Sequence, residues 1–120
     1  FIFSTAPSPL MAACVREALR IVEEEPERRE ALHDLIGYAG RKLAPFGASA
    51  RGSQIMPLVL GDEARTMQIA GALRSPGFDI RGIRPPTVPA GSSRLRISLT
   101  LNSARAQIDA LAGTLSEILA

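Results

Sequence analysis

The sequence predicts an α/β protein of the two-layer α+β kind: a small three-stranded, largely antiparallel sheet covered by helices. Three observations carry this. Residues 94–101 alternate, with Leu95, Ile97, Leu99 and Leu101 on one side and Arg94, Arg96, Ser98 and Thr100 on the other. That is the period of a strand with one apolar and one polar face. Other segments repeat apolar residues every three and four positions, the mark of amphipathic helices. The resulting order is helix, helix, strand, helix, strand, strand, helix, which suits a small sheet with helices on one face.

Taken in order, Ala6-Pro7-Ser8-Pro9 is a turn that delivers the first helix. Its stripe is Leu10, Met11, Cys14, Val15, Ala18, Leu19 and Val22. Pro26 follows three glutamates and starts a second helix or kinks a long one, since proline and acids both suit a first turn. Ala31, Leu32, Leu35, Ile36, Ala39 and Leu43 form the second stripe, and Pro45-Phe46-Gly47 stops it. After a small, polar loop at 47–53, Gln54–Leu60 reads as a short strand. Pro57 within it lacks a ladder donor, which argues for an edge or a bulge. Asp62 is the expected N-cap of a helix running to about Leu73 through Ala64, Met67 and Ala70. Phe78–Ile83 reads as a strand with Phe78, Ile80 and Gly82 on one side. A loop with three prolines then turns the chain into strand 94–101, making the last two strands antiparallel neighbours. Asn102 or Ser103 is the expected cap of a final helix with Ile108, Leu111, Ala112, Leu115 and Leu119 inward.

The chain has 120 residues, 46% of them hydrophobic, and a net charge of +2. That is enough for one domain, 1–120, with residues 1–45 a helical lead-in and 46–120 the sheet and its helices. Residues 1–40 hold seven acids and four bases, and residues 41–120 hold five acids and ten bases. This weak polarity, with no tryptophan and no basic run interleaved with aromatics, does not read as a nucleic-acid partner. No apolar run is long enough to cross a membrane. Cys14 is the sole cysteine and reads as a small core residue. The opening Phe1-Ile2-Phe3, without Met, reads as part of something longer.

Groups able to run a reaction are few. His33 is the only histidine, without partners for a metal site, so no metal is expected. Lys42, the only lysine, suits the end of its helix. No serine has a nucleophile-elbow context. The concentrated chemistry is in residues 80–101, where Arg81, Arg84, Arg94 and Arg96 occur with no acid among them. By pattern these are either solvated arginines on an edge strand or an anion clamp, because a guanidinium fork suits carboxylate or phosphate. Ser4 and Thr5 offer two further hydroxyls.

Ile83-Arg84-Pro85-Pro86-Thr87-Val88-Pro89-Ala90-Gly91, followed by Ser93-Arg94-Leu95-Arg96-Ile97, resembles the carboxy-terminal domain of the α-oxoamine synthases. These are pyridoxal-phosphate enzymes of fold type I. Phe1–Pro9, Ser53–Pro57 and Gly61-Asp62 are similar to other segments of that domain. The resemblance implies a decarboxylative condensation of an amino acid with an acyl thioester. The Ile-Arg-Pro-Pro-Thr-Val-Pro wording points to the biotin-pathway member, whose substrates are L-alanine and pimeloyl-CoA or a pimeloyl carrier protein. A glycine acetyltransferase type is the alternative within the family. Carried over by motif, Arg96 holds the amino-acid carboxylate, while Thr87 and Arg84 border the active site and acyl entry. Ser4 and Thr5 reach the cofactor phosphate of the other subunit in a cytoplasmic homodimer. Neither Lys42 nor His33 lies in the family's lysine or histidine motif. The expectation is therefore that the cofactor's lysine belongs to an amino-terminal large domain, and that this chain alone binds no cofactor covalently and is inactive. Outside the family, a freestanding anion-binding regulatory module and a purely structural dimerisation domain remain open.

Overall fold

The computed structural model describes residues 6–120 and contains four α-helices and a three-stranded sheet. The chain forms two compact units, Phe1–Glu30 and Ala31–Ala120. In the first, helix α1 (Pro9–Glu24) begins on a proline at its first turn, where the absent N–H costs nothing. Its surface carries ion pairs from Arg20 to Glu17 and Glu24. The amphipathic stripe read from the sequence is present, yet no residue of α1 is buried. Leu10, Met11, Val15, Leu19 and Val22 are all exposed, as is Cys14. The expectation of Cys14 as a core residue is corrected: periodicity shows which side of a helix is apolar, not whether anything covers it.

Helix α2 (Pro26–Leu43) begins at Pro26 and buries Leu35, Ile36, Ala39 and Leu43 in the core of the second unit. A 3₁₀ turn at Ala44–Phe46 ends it, closed by Gly47 at φ +87°, a left-handed conformation that glycine adopts without steric cost. Strand β1 (Ile55–Gly61), helix α3 (Glu63–Arg74), strands β2 (Arg81–Ile83) and β3 (Ser93–Ser98) and helix α4 (Arg105–Leu119) follow. The sheet order is β1-β3-β2 with both pairings antiparallel, so the proline loop does reverse the chain between β2 and β3. Pro57 lies on an edge strand, and the register slips between Val59 and Gly61. The Pro57 carbonyl accepts from Ser49 N–H at 3.3 Å. That carbonyl points out of the sheet, so the missing N–H lies on the same outer side and breaks no ladder bond.

The core joins Met56 and Leu58 of β1 with Leu95 and Ile97 of β3, beneath Ile69, Ala70 and Leu73 of α3 and Ile108, Leu111 and Leu115 of α4. Four details differ from the sequence expectation. The buried face of α3 is Thr66, Ile69, Ala70 and Leu73, while Ala64 and Met67 are exposed. Thr66 fits inside because its hydroxyl donates to the Asp62 carbonyl at 2.6 Å. Strand β2 spans only Arg81–Ile83, although Ile80 is buried and Phe78 packs on the core as alternation predicts. Strand β3 stops at Ser98 because Thr100 turns the chain: its hydroxyl accepts from Asn102 N–H and its carbonyl from Ser103 N–H. Leu99 is still buried, but Leu101 is exposed. The cap of α4 is Ala104, not Asn102 or Ser103. Gln107 reaches back to accept the Ala104 N–H at 2.7 Å, the N3 half of a capping box, and its own N–H donates to the Ala104 carbonyl at 3.0 Å. Asp62 is the N-cap of α3 as expected, accepting from Arg65 N–H at 2.6 Å.

Candidate functional site

Helices cover one face of the sheet, and the other face carries the arginines. In β3, Ser93, Leu95 and Ile97 are buried, Arg94 is half-buried, and Arg96 and Ser98 are exposed. Because the side-chain period is two, Arg94 and Arg96 share the open face of the central strand. Cross-strand register sets their neighbours. Arg96 lies between Pro57 and Arg81, and Arg94 between Val59 and Ile83. The side on which β2 faces is fixed by Gly82. A Cβ there would meet Met67 Sδ at 2.9 Å and Thr66 and Ala70 of α3 slightly farther out. Gly82 therefore faces the helices, and Arg81 and Ile83 face away.

The four arginines differ in what holds them. Arg84 Nη1 pairs with Glu63 Oε1 at 2.6 Å, which ties the proline loop to the first turn of α3. Arg81 pairs with Asp79 through Nε–Oδ1 at 3.1 Å and Nη2–Oδ2 at 3.2 Å. Arg94 Nε donates to the Ser92 carbonyl at 2.9 Å, so it braces the turn before its own strand. Arg96 lies within the backbone ladder, but its side chain makes no hydrogen bond or ion pair among the described residues. A free guanidinium fork on a rigid central strand is suited to binding a carboxylate or phosphate.

Between the strands, Thr87 N–H donates to the Arg84 carbonyl at 3.0 Å, and Ser92 closes back on Pro89 through both its amide and its hydroxyl. The Pro85–Pro86 bond is cis and Gly91 sits at φ +74°. Thr87 itself is exposed on this loop, while Ser4 and Thr5 lie outside the described residues. Thus Arg84, Thr87 and Arg96 stand on one hairpin, with Arg96 on the open sheet and Thr87 in the connecting turn.

Two cavities among the described residues lie apart from them. One, of about 400 Å³, lies between Phe78, Ile97, Asn102 and the start of α4. The other, of about 350 Å³, is lined by His33, Ile36, Gly40 and Ala50. Among the described residues no cluster of His, Cys, Asp or Glu could hold a metal. Among the described residues no helix is long and apolar enough to cross a membrane.

Lys42 is engaged elsewhere. Its Nζ pairs with Asp109 Oδ1 at 2.8 Å, and Asp109 also accepts from the Tyr38 hydroxyl at 2.7 Å. The Asp109 hydrogen bond holds the ammonium above its usual pKa, and the Lys42 and Tyr38 hydrogen bonds hold the Asp109 carboxyl below its own. An amine held protonated is a poor nucleophile.

The carboxylates that neutralise Arg81 and Arg84 lie outside residues 80–101. Asp79 was legible through its spacing, since two positions before Arg81 is the same side of an extended segment. Glu63 carried no local signal, because its meeting with Arg84 depends on α3 crossing the sheet.

Comparison with known proteins extends the reading beyond this hairpin. No family model matches the sequence. The chain is 44% identical over 121 residues to the 8-amino-7-oxononanoate synthase of Anaeromyxobacter dehalogenans strain 2CP-C, covering 99% of this chain and 30% of that protein. The same comparison with the Sodalis glossinidius protein of that name gives 43% over 118 residues, covering 97% and 30%. Among solved structures, a serine palmitoyltransferase from S. paucimobilis with a bound PLP–myriocin aldimine superposes with TM-score 0.84 at 25% identity, covering 97% of this chain and 30% of that one. An 8-amino-7-oxononanoate synthase from Francisella tularensis gives 0.81 at 20% identity, covering 98% and 35%. The chain spans about 30% of the length of the curated relatives it matches. Its fold matches the corresponding part of these serine palmitoyltransferase and 8-amino-7-oxononanoate synthase structures, and its sequence is similar to part of the α-oxoamine synthases. Within that class it is similar in particular to 8-amino-7-oxononanoate synthase.

Proposed function

We propose that this chain is the carboxylate-holding domain of a pyridoxal-phosphate-dependent C-acyltransferase. In this reading the enzyme joins L-alanine to a pimeloyl thioester with loss of carbon dioxide, giving 8-amino-7-oxononanoate for biotin biosynthesis. The observation that supports it is 44% identity over 99% of this chain, together with an Arg96 side chain that has no partner among the described residues on the open face of the sheet. Arg96 takes the amino-acid carboxylate in a two-point ion pair, which fixes how the Cα is presented to the reacting partners. The loop bearing Thr87 and Arg84 borders the path of the acyl chain, and the Arg84–Glu63 pair keeps that loop in place. Pyridoxal phosphate and the groups that hold it belong to a larger amino-terminal domain, with Ser4 and Thr5 reaching the cofactor phosphate of the partner in a cytoplasmic homodimer.

The test uses the enzyme that includes this chain. Arg96→Ala is expected to raise KM for L-alanine by about 100-fold, the loss of a buried-quality charged hydrogen-bond pair of ~3 kcal/mol. Arg96→Lys, which keeps charge but not the fork, is expected to recover only part. An unchanged KM for L-alanine in Arg96→Ala overturns the assignment. Comparing L-alanine with glycine as acceptor separates this reading from the glycine acetyltransferase type.

A further inference from the structure

Arg81 and Arg96 stand directly opposite each other on the open face, where antiparallel neighbours have Cβ atoms about 5 Å apart. Like charges so placed repel, and a bare pair would attract doubly charged anions. Asp79 changes that balance. It grips Arg81 along one edge, through Nε and Nη2, and so takes two of the five guanidinium N–H groups. Three N–H groups remain, while the Asp79–Arg81 pair as a unit carries no net charge. Arg96 thus has beside it a donor that adds hydrogen bonds without adding a second positive charge. The other two arginines do not supply this: Arg84 is turned to Glu63 and Arg94 to the Ser92 carbonyl.

We propose that Arg81, clamped by Asp79, is a second donor for the acid group held at Arg96, and that Asp79 sets the site's preference for singly over doubly charged acids. The proposal rests on Arg96 being the acid-binding residue and adds to it a specificity element. Asp79 is bonded to Arg81, the cross-strand neighbour of Arg96, and charges closer together than the Debye length, ~8 Å at physiological salt, feel one another. The pairing also explains why two arginines can be tolerated face to face across β2 and β3.

The experiment titrates the 120-residue chain with acetate and with succinate at neutral pH and fixed ionic strength, following the Arg81 and Arg96 side-chain N–H resonances. Arg81→Ala is expected to weaken acetate binding by about two- to fivefold, the range for exposed charged contacts. Asp79→Asn is expected to strengthen succinate by a similar factor of about two to five while acetate changes less. Both positions are exposed, and an unchanged backbone amide spectrum establishes that each variant folds. If Arg96→Ala abolishes binding but the Asp79 and Arg81 variants leave both affinities and their ratio unaltered, this inference fails and the Arg96 assignment survives. If Arg96→Ala leaves binding intact, or neither acid binds, this inference fails, while the Arg96 assignment is decided separately by the KM for L-alanine in the enzyme that includes this chain.

Discussion

Lys42 shows how a single contact decides what a residue can do. Tied to Asp109 and held protonated, it is expected to give no Lys42-dependent visible absorbance when the chain is mixed with pyridoxal phosphate. A band that disappears in Lys42→Ala would contradict this. Gly82 is a second residue whose surroundings set a measurable outcome. Alanine there presses on Met67 Sδ, the flexible outer part of a half-exposed side chain that can swing away. Gly82→Ala is therefore expected to cost less than about 1 kcal/mol in urea unfolding. Gly82→Leu has no such escape between β2 and α3 and is expected to cost about 1–3 kcal/mol. At the centre of the same sheet Leu95 is fully buried, and Leu95→Ala is expected to cost about 2–5 kcal/mol.

At the scale of elements, Asp62 at the start of α3 has a separable effect. Asp62→Ala removes its bond to Arg65 N–H and is expected to cost about 1 kcal/mol, read as a lower denaturation midpoint. That cap, the Pro26 start of α2, the edge placement of β1 and the alternation of β3 were legible because each follows from local backbone chemistry. The errors came where tertiary contacts choose among local options. Ala64 and Met67 are more apolar than Thr66, yet the sheet selects the stripe through Thr66. Alternation continues to Leu101, but the Thr100 turn ends the strand three residues earlier. Gln107 supplies a cap from a position that pattern does not mark. Of the candidate site, the shared face of Arg94 and Arg96 was legible from period two. The unequal freedom of the four arginines was not, because Asp79 and Glu63, which hold Arg81 and Arg84, lie outside residues 80–101. Helix α1 has the strongest periodicity and no buried residue. Val15→Glu with Leu19→Glu is accordingly expected to reduce binding of a hydrophobic dye to this chain while leaving its helix content unchanged.

For the molecule as a whole, the Lys42–Asp109 pair gives a pH signature with two limbs. The lowered Asp109 carboxyl contributes stability present above its unfolded value of about 3.9 and lost as pH falls through the lower folded value. The raised Lys42 ammonium contributes stability present below its unfolded value of about 10.4 and lost as pH rises through the higher folded one. Urea midpoints measured against pH should be flat for this pair between those limits, and Asp109→Asn should flatten both ends. The pair is exposed, so the changes are small and diminish with added salt. The outer border of the sheet has a consequence of a different kind. With Pro57 offering no donor and its carbonyl already taken by Ser49, β1 gives an incoming chain nothing to zip onto at its middle. The opposite border, β2, is three residues long. Fibril growth by strand addition is thus obstructed on both flanks, one chemically and the other by shortness.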